Sequence, residues 1–304
     1  MRLRPLTRFI CGDDRPKQFC PLFGGITLLM HARRRAERSI PPLQVLYSLT
    51  HGHQQFYLPD LEDCPSQRVV QPSNRGTAPG IVSGLLRIAQ TDEQATVAVL
   101  PSDHRFSDEA VFAKNLKSAF EIAEQERRSI ILLGAPADSP ETEYGWIQPG
   151  GALRGSEIFH VERYHEKPSL QLAQSLLEGN SLWNTFVMVG SVWAFLEAVR
   201  STIPELLDAF RAVSPSARNH VEVEIPDFLY EQIPHSDFSR QVLSAATERL
   251  LVFRLGPVGW SDLGDPNRAL VVLSKSGTEP EWAQEWRQSP GALQVASSVV
   301  ASAP

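Results

Sequence analysis

Apolar residues along the chain follow two spacings. Ala95–Leu100 and Ile130–Leu133 are short unbroken apolar runs bounded by polar residues, the pattern of strands buried on both faces. Leu43–Leu49, Ile158–Tyr164, Phe186–Val189 and Leu250–Leu255 read as further strands. Between the first two runs, Phe112, Leu116, Ala119, Phe120 and Ala123 recur on one face of a 3.6-residue repeat. The spacing predicts a helix over Asp108–Arg128, with Ser107 as N-cap and Asp108 and Glu109 at the positive end of its dipole. Further helices are expected over Thr27–Arg38, Ala78–Ile88, Glu205–Ala212 and Pro226–Gln232. Another opens at Pro168-Ser169 and closes on Gly179 as a left-handed cap. Strand–helix–strand order implies an α/β protein with a mixed, mainly parallel sheet and helices on both faces.

Beyond Gly277 the pattern thins to a short helix at most and then a loose tail. The division expected is one unit over 1–275 and a partly disordered tail over 276–304. The chain has 304 residues, 42% apolar and 21% charged, enough to bury a core and too few charges for a disordered chain. Its 29 basic and 35 acidic residues leave a net charge of −6, which argues against a general nucleic-acid binder. Cys11, Cys20 and Cys64 are too few and scattered for a disulfide framework or a four-ligand zinc site. His51 and His53 have no completing ligands at metal-site spacing. No apolar run reaches membrane-spanning length, and Met1–Pro5 lacks a signal-peptide stretch, so no membrane partner and a cytoplasmic setting are expected. The chain shows no P-loop, no Gly-x-Ser-x-Gly elbow and no Gly-x-Gly-x-x-Gly turn of a dinucleotide enzyme.

In an open parallel sheet, ligands sit beyond the carboxyl ends of the strands. Asp103 follows the Ala95–Leu100 run, and Asp262 follows a strand and a Gly-Pro-Val-Gly turn. Two such carboxylates would suit Mg²⁺, a hard cation that takes oxygen ligands and phosphate. The plainer alternatives are a helix cap for Asp103 and an Asp-Gly turn for Asp262. Arg2, Arg4, Arg8, Arg15 and Lys17 form a basic cluster that could meet triphosphate oxygens from a loop, or lie on a solvated face. Glu166 and Lys167 read most simply as a solvated pair.

Eight short segments then recur in a familiar order. They are Arg2-Leu3-x-Pro5-Leu6-Thr7-Arg8; Pro16-Lys17-Gln18-Phe19; Gln71-Pro72-x-Asn74-Arg75-Gly76-Thr77-Ala78-Pro79; and Leu100-Pro101-Ser102-Asp103-His104. Pro140-Glu141-Thr142-Glu143-Tyr144-Gly145-Trp146-Ile147, Glu166-Lys167-Pro168, Leu182-Trp183-Asn184-Thr185 and Trp260-Ser261-Asp262-Leu263-Gly264 follow. In this order the chain resembles the mannose-1-phosphate guanylyltransferase family of sugar-nucleotide pyrophosphorylases, from Arg2 to about Leu273.

The resemblance implies a Rossmann-like nucleotide-diphospho-sugar transferase fold and a reaction. A sugar 1-phosphate, mannose 1-phosphate in the family, attacks the α-phosphate of a nucleoside triphosphate, GTP in the family. GDP-mannose and pyrophosphate result. By resemblance, Asp103 and Asp262 hold Mg²⁺, Arg2 and Lys17 neutralise the triphosphate, and Lys167 meets the sugar phosphate. Glu166 and Asn184 bond sugar hydroxyls, the Gly145 backbone approaches the sugar, and Thr77, Ala78 and Pro79 lie near the base. The family pattern also has a strand and a glycine-rich loop ahead of the Arg2 position, where this sequence has only Met1. Gln71 stands for the family's Glu, Gly76 for its Asn, and Thr185-Phe186 for its Ser-Gly. Phe9–Arg15 is longer than the family's loop. These departures keep a second function class open: a non-catalytic relative that binds a sugar nucleotide or a partner protein. A homodimer is the assembly left open.

Overall fold

The computed structural model describes residues 3–153, 157–211, 221–277 and 279–289. In chain order its strands are β1 (Leu46–Thr50), β2 (Gln67–Gln71), β3 (Thr96–Val99), β4 (Arg105–Phe106), β5 (Ile130–Pro136) and β6 (Gly145–Ala152). After these come β7 (Ile158–Glu166), β8 (Leu182–Ser191), β9 (Glu222–Glu224), β10 (Leu250–Arg254) and β11 (Trp260–Ser261). The helices are α1 (Arg4–Cys11), α2 (Leu28–Glu37), α3 (Gln54–Leu61), α4 (Thr77–Ala89), α5 (Glu109–Gln125) and α6 (Leu170–Glu178). They continue as α7 (Val192–Thr202), α8 (Pro204–Arg211), α9 (Asp227–Tyr230), α10 (Pro266–Ser276) and α11 (Glu281–Gln288).

A six-stranded mixed sheet in the order β3-β8-β5-β10-β7-β6 forms the centre, beside an all-parallel sheet β1-β2-β9. In the larger sheet β5 and β10 pair in parallel, and β3 and β6 share their direction. Strands β7 and β8 run against them. A strand buried on both faces reads the same in either direction, so the apolar runs could not reveal this reversal.

The two-residue period of the strands sorts their side chains into two cores. Ile130, Leu132, Met188, Leu250 and Val252 meet α4 and α7 on one face. Ile131, Leu133, Val187, Val189, Leu251 and Phe253 meet Phe112, Leu116, Ala119 and Ala123 of α5 on the other. A smaller core joins Leu3 and Leu6 of the N-terminal segment to Leu263, Ala269, Leu273 and Trp286. Trp286 of α11 packs edge-on to Phe9 at 5.3 Å, so Glu281–Gln288 form a helix seated on α1. Residues 290–304 of the expected tail lie outside the described residues.

Three local expectations change. Asp108, not Ser107, caps α5: its Oδ1 accepts from the Ala110 and Val111 amides. Gly179 has φ −77°, and its neighbour Asn180 takes the left-handed turn at φ 54°. Asparagine tolerates that region because its short side chain can bond locally. Of the basic N-terminal cluster, Arg4 and Arg8 lie on α1, are exposed, and both bind Asp14. These two arginines therefore belong to the solvated face.

Strand β1 pairs with β2 alone, and β3 with β8 alone, among the described residues. A groove of about 1880 Å³ runs along these two edges, lined by Leu46–Thr50 and Thr96–Val99. It continues past the carboxyl end of β3 to Asp103, Gly145, Glu166, Asn184 and Asp262.

Candidate active site

Pro16 begins the turn Lys17–Phe19 with an extended backbone. From there the Lys17 Nζ reaches two distant strand ends. It lies 3.2 Å from Asp103 Oδ2, past β3, and donates to the Asp262 carbonyl oxygen, past β11, at 2.5 Å. Asp262 Oδ1 accepts from the Tyr144 hydroxyl at 2.7 Å, the Gly264 amide at 2.9 Å and Arg268 at 3.3 Å. Arg268 also pairs with Glu141 at 2.6 Å and lies over the Tyr144 ring. Burial disfavours ionisation of Asp103, but the positive charges of Lys17 and His104 outweigh it and hold the carboxyl below its usual range. Burial lowers His104 against the pull of Asp103. The His104 Nδ1 lies 3.1 Å from the Thr185 carbonyl and 3.2 Å from the Trp260 indole nitrogen.

The donor chemistry fits a divalent cation. Two carboxylates on separate strand ends supply hard oxygens, and all three bonds to the Asp262 carboxylate fall on Oδ1. Such a pair leaves most of an octahedral shell to phosphate and water. Among the described residues no cluster of three or more His, Cys, Asp or Glu forms a closed protein cage.

A second cluster stands beside the first. Gly145 and Glu166 are cross-strand partners on β6 and β7, and Asn184 lies on β8. Tyr164 ties them together. Its hydroxyl donates to Glu166 Oε2 at 3.0 Å and accepts from Asn184 Nδ2 at 2.9 Å. Burial pushes the Glu166 carboxyl up, opposed by the Tyr164 bond. A Cβ at Gly145 would stand 2.2 Å from the Tyr164 hydroxyl oxygen and 2.9 Å from Glu166 Oε2, so only glycine lets this network close. Tyr144 links the clusters: it precedes Gly145, binds Asp262, and packs against Trp183 and Trp260 at 5.1 and 5.0 Å.

Backbone strain gathers at the same place. Lys167, Phe186 and Leu263 all have positive φ (51°, 60° and 52°), each within two residues of Glu166, Asn184 or Asp262. Non-glycine residues hold such conformations only where surrounding structure over-determines them. Phe186 sits where the β5–β8 register shifts, and its amide donates to Asn184 Oδ1 at 3.1 Å. Position 186, where the resemblance expects glycine, thus has a backbone that favours glycine.

The nucleotide-side residues separate. Thr77 lines the groove, whereas Ala78 and Pro79 are buried in the first turn of α4 and do not line it. Gly76 has φ 96°, and a Cβ there would meet the Ser236 carbonyl oxygen at 2.2 Å. The Ala78 amide donates to that carbonyl, and the Thr77 hydroxyl accepts from the Phe238 amide. Lys167 lies outside the groove lining, with its ammonium 3.9 Å from Glu143, which does line it. Arg2 is outside the described residues.

The structure thus brings Lys17, Asp103 and Asp262 together, and Gly145, Glu166 and Asn184 together; all of these except Lys17 line one groove. Sequence reasoning assigned nothing to Tyr164, Tyr144, His104 or Arg268. Tyr164 had a signal, since it lies two residues before Glu166 on the same strand face. Arg268 had none, because α10 was not foreseen.

Known proteins share this arrangement of chain. A mannose-1-phosphate guanylyltransferase of Escherichia coli is 26% identical over 272 residues, covering 86% of this chain and 57% of its own length. The xanthan biosynthesis protein XanB of Xanthomonas campestris is 28% identical over 282 residues, 91% of this chain and 58% of its own. The chain therefore spans a little over half the length of these curated relatives. A solved Thermus thermophilus structure, described as a mannose-1-phosphate geranyltransferase, superposes with TM-score 0.75 at 24% identity, covering 91% of this chain and 77% of that one. That likeness establishes the fold. The family model for nucleotidyl transferases matches residues 1–276, and the chain belongs to that family.

Proposed function

We propose that the protein transfers a nucleotidyl group from a nucleoside triphosphate to a sugar 1-phosphate, releasing pyrophosphate. The observation that carries this is the contact of Lys17 with Asp103 and with the Asp262 main chain, at the edge of a groove lined by Asp103, Asp262, Gly145, Glu166 and Asn184. GTP and mannose 1-phosphate are the substrates we infer, because relatives bear the name mannose-1-phosphate guanylyltransferase. Mg²⁺ is the cation we infer from the two carboxylates.

A sugar-phosphate oxygen attacks the α-phosphorus in line, and the bond from that phosphorus to the leaving pyrophosphate breaks. Such a transfer asks the protein for positioning and charge neutralisation. Glu166 and Asn184, fixed through Tyr164, hold sugar hydroxyls and so aim the attacking phosphate. Lys17 carries its charge to the departing phosphates, with Arg2 in the same role, and Lys167 faces the sugar phosphate from the rim. Thr77, with Ala78 and Pro79 behind it, lies towards the base. Asp103 and Asp262 would hold the divalent cation, which when bound neutralises phosphate charge. Tyr144 and Arg268 fix the Asp262 carboxylate for that purpose.

The test is a matrix of nucleoside triphosphates against sugar 1-phosphates with Mg²⁺, following pyrophosphate. Release that requires both substrates is expected, with GTP and mannose 1-phosphate best. Binding of a sugar nucleotide with no release from any pair would favour the non-catalytic reading.

A further inference from the structure

Cys11 closes α1, and Cys20 follows the turn that carries Lys17. Their sulfurs lie 3.3 Å apart although the residues are nine positions apart in sequence. Both are free thiols. The transfer chemistry uses neither of them. Cys20 is fully buried among Leu3, Leu6, Leu22 and Leu28, whereas Cys11 is partly exposed. Contact with Cys20 lowers the Cys11 thiol's pKa; burial opposes this and the Arg15 charge assists it. The same contact and burial push Cys20 up. A partly exposed thiol of lowered pKa, in contact with a sheltered second thiol 3.3 Å away, is the arrangement in which oxidation of the first is resolved by the second.

We propose that Cys11 and Cys20 are an oxidisable dithiol, taking a hydroperoxide as oxidant, whose disulfide alters the Lys17 loop. The Cys11 thiolate attacks the distal peroxide oxygen. The O–O bond breaks, Cys11 becomes a sulfenic acid, and the alkoxide or hydroxide leaves and takes a proton. The Cys20 sulfur then attacks the Cys11 sulfur. The S–O bond breaks, and the departing hydroxide takes the Cys20 proton as water. Two thiols and one hydroperoxide give one disulfide, one alcohol or water, and one water.

Geometry links the bond to the site. A disulfide holds its sulfurs at about 2.05 Å, so closure draws them together by about 1 Å. Gly12, at φ 75° after α1, and the 13–16 loop lie on one side of this closure. On the other, the Cys20 amide donates to the Lys17 carbonyl, so movement of Cys20 is passed to the residue that joins Asp103 to Asp262. The effect on transfer rests on the function proposed above; formation of the bond does not.

The test treats the full reduced chain with hydrogen peroxide and reads intact mass, thiol count and transfer rate. Expected are a loss of about 2 Da, a fall from three titratable thiols to one, and a Cys11–Cys20 crosslinked peptide. The transfer rate should fall about tenfold as Lys17 shifts, and dithiothreitol should restore it. Cys11→Ser should keep the reduced protein's rate, gain no crosslink and resist peroxide. A gain of about 32 Da at Cys11, or a crosslink between two chains, would overturn the dithiol. A Cys11–Cys20 bond with an unchanged rate would overturn its coupling to Lys17. No transfer by the reduced chain would refute the function proposed above, leaving the mass and peptide results to decide the dithiol.

Discussion

Lys17 Nζ lies 3.2 Å from Asp103 Oδ2 and also donates to the Asp262 backbone carbonyl, so one ammonium ties the Asp103 carboxylate to the main chain of the second proposed cation-binding residue. Replacing it with methionine removes the strongest opposition to burial at Asp103. Less stabilisation of the anion means a higher pKa, so the Asp103 carboxyl should titrate at higher pH in Lys17→Met. Carbon-13 NMR titration of aspartate carboxyls checks this. Nucleotidyl transfer should fall by about 10²–10³-fold, the usual loss on deleting one charge-stabilising group.

Gly145 is where a single methyl should do the most local harm. Gly145→Ala puts a Cβ against the Tyr164 hydroxyl, which must swing away from Glu166 and Asn184. An unsatisfied buried polar group costs about 1–3 kcal/mol, so KM for the sugar phosphate should rise about 10- to 100-fold. The nucleotide's KM should change little. Tyr164→Phe should reproduce the shift without the clash, and steady-state kinetics varying each substrate separates the two.

Lys167 offers a test of strain. Its φ of 51° is unfavourable for lysine, and its half-exposed side chain lies 3.9 Å from Glu143. Lys167→Gly should gain about 0.5–1 kcal/mol in urea unfolding, because glycine adopts this region without the Cβ penalty. The same variant should lose transfer rate. A more stable, less active protein is the signature expected of strain kept at a working site.

Glu166 gives the pH dependence a sign. Burial raises its pKa above the ordinary 4.5, so protonation begins at a higher pH than for a solvated glutamate. The protonated acid is a poorer acceptor for sugar hydroxyls. KM for the sugar phosphate should therefore rise on acidification, starting above pH 4.5. Glu166→Gln should show a uniformly raised KM without that component. Comparing the two KM–pH profiles cancels titration of the substrate's own phosphate.

What the sequence revealed follows from the range of the interactions involved. Thr27 and Ser169 cap helices where the pattern placed their starts, because N-caps act over three residues. Asp103 and Asp262 drew notice because each follows a strand. Their meeting on Lys17 is a long-range contact that residue spacing does not encode; only the family resemblance pointed to it. Helix α1 is hard to see in the sequence, since Arg4, Pro5 and Arg8 interrupt the short apolar side formed by Leu6, Ile10 and Cys11. Strand β6, rich in glycine and proline, carries little strand propensity beyond Trp146 and Ile147 and is held by its neighbours β7 and β8.

The most direct measurement is exchange of labelled pyrophosphate into GTP in the presence of GDP-mannose and Mg²⁺. It runs the proposed transfer backwards and needs every proposed element of the site. The account predicts exchange with the unaltered chain and its near-complete loss in Asp103→Asn and Asp262→Asn, with circular dichroism showing both variants folded. Exchange that survives undiminished in both variants, or its absence from the unaltered chain, would contradict the account.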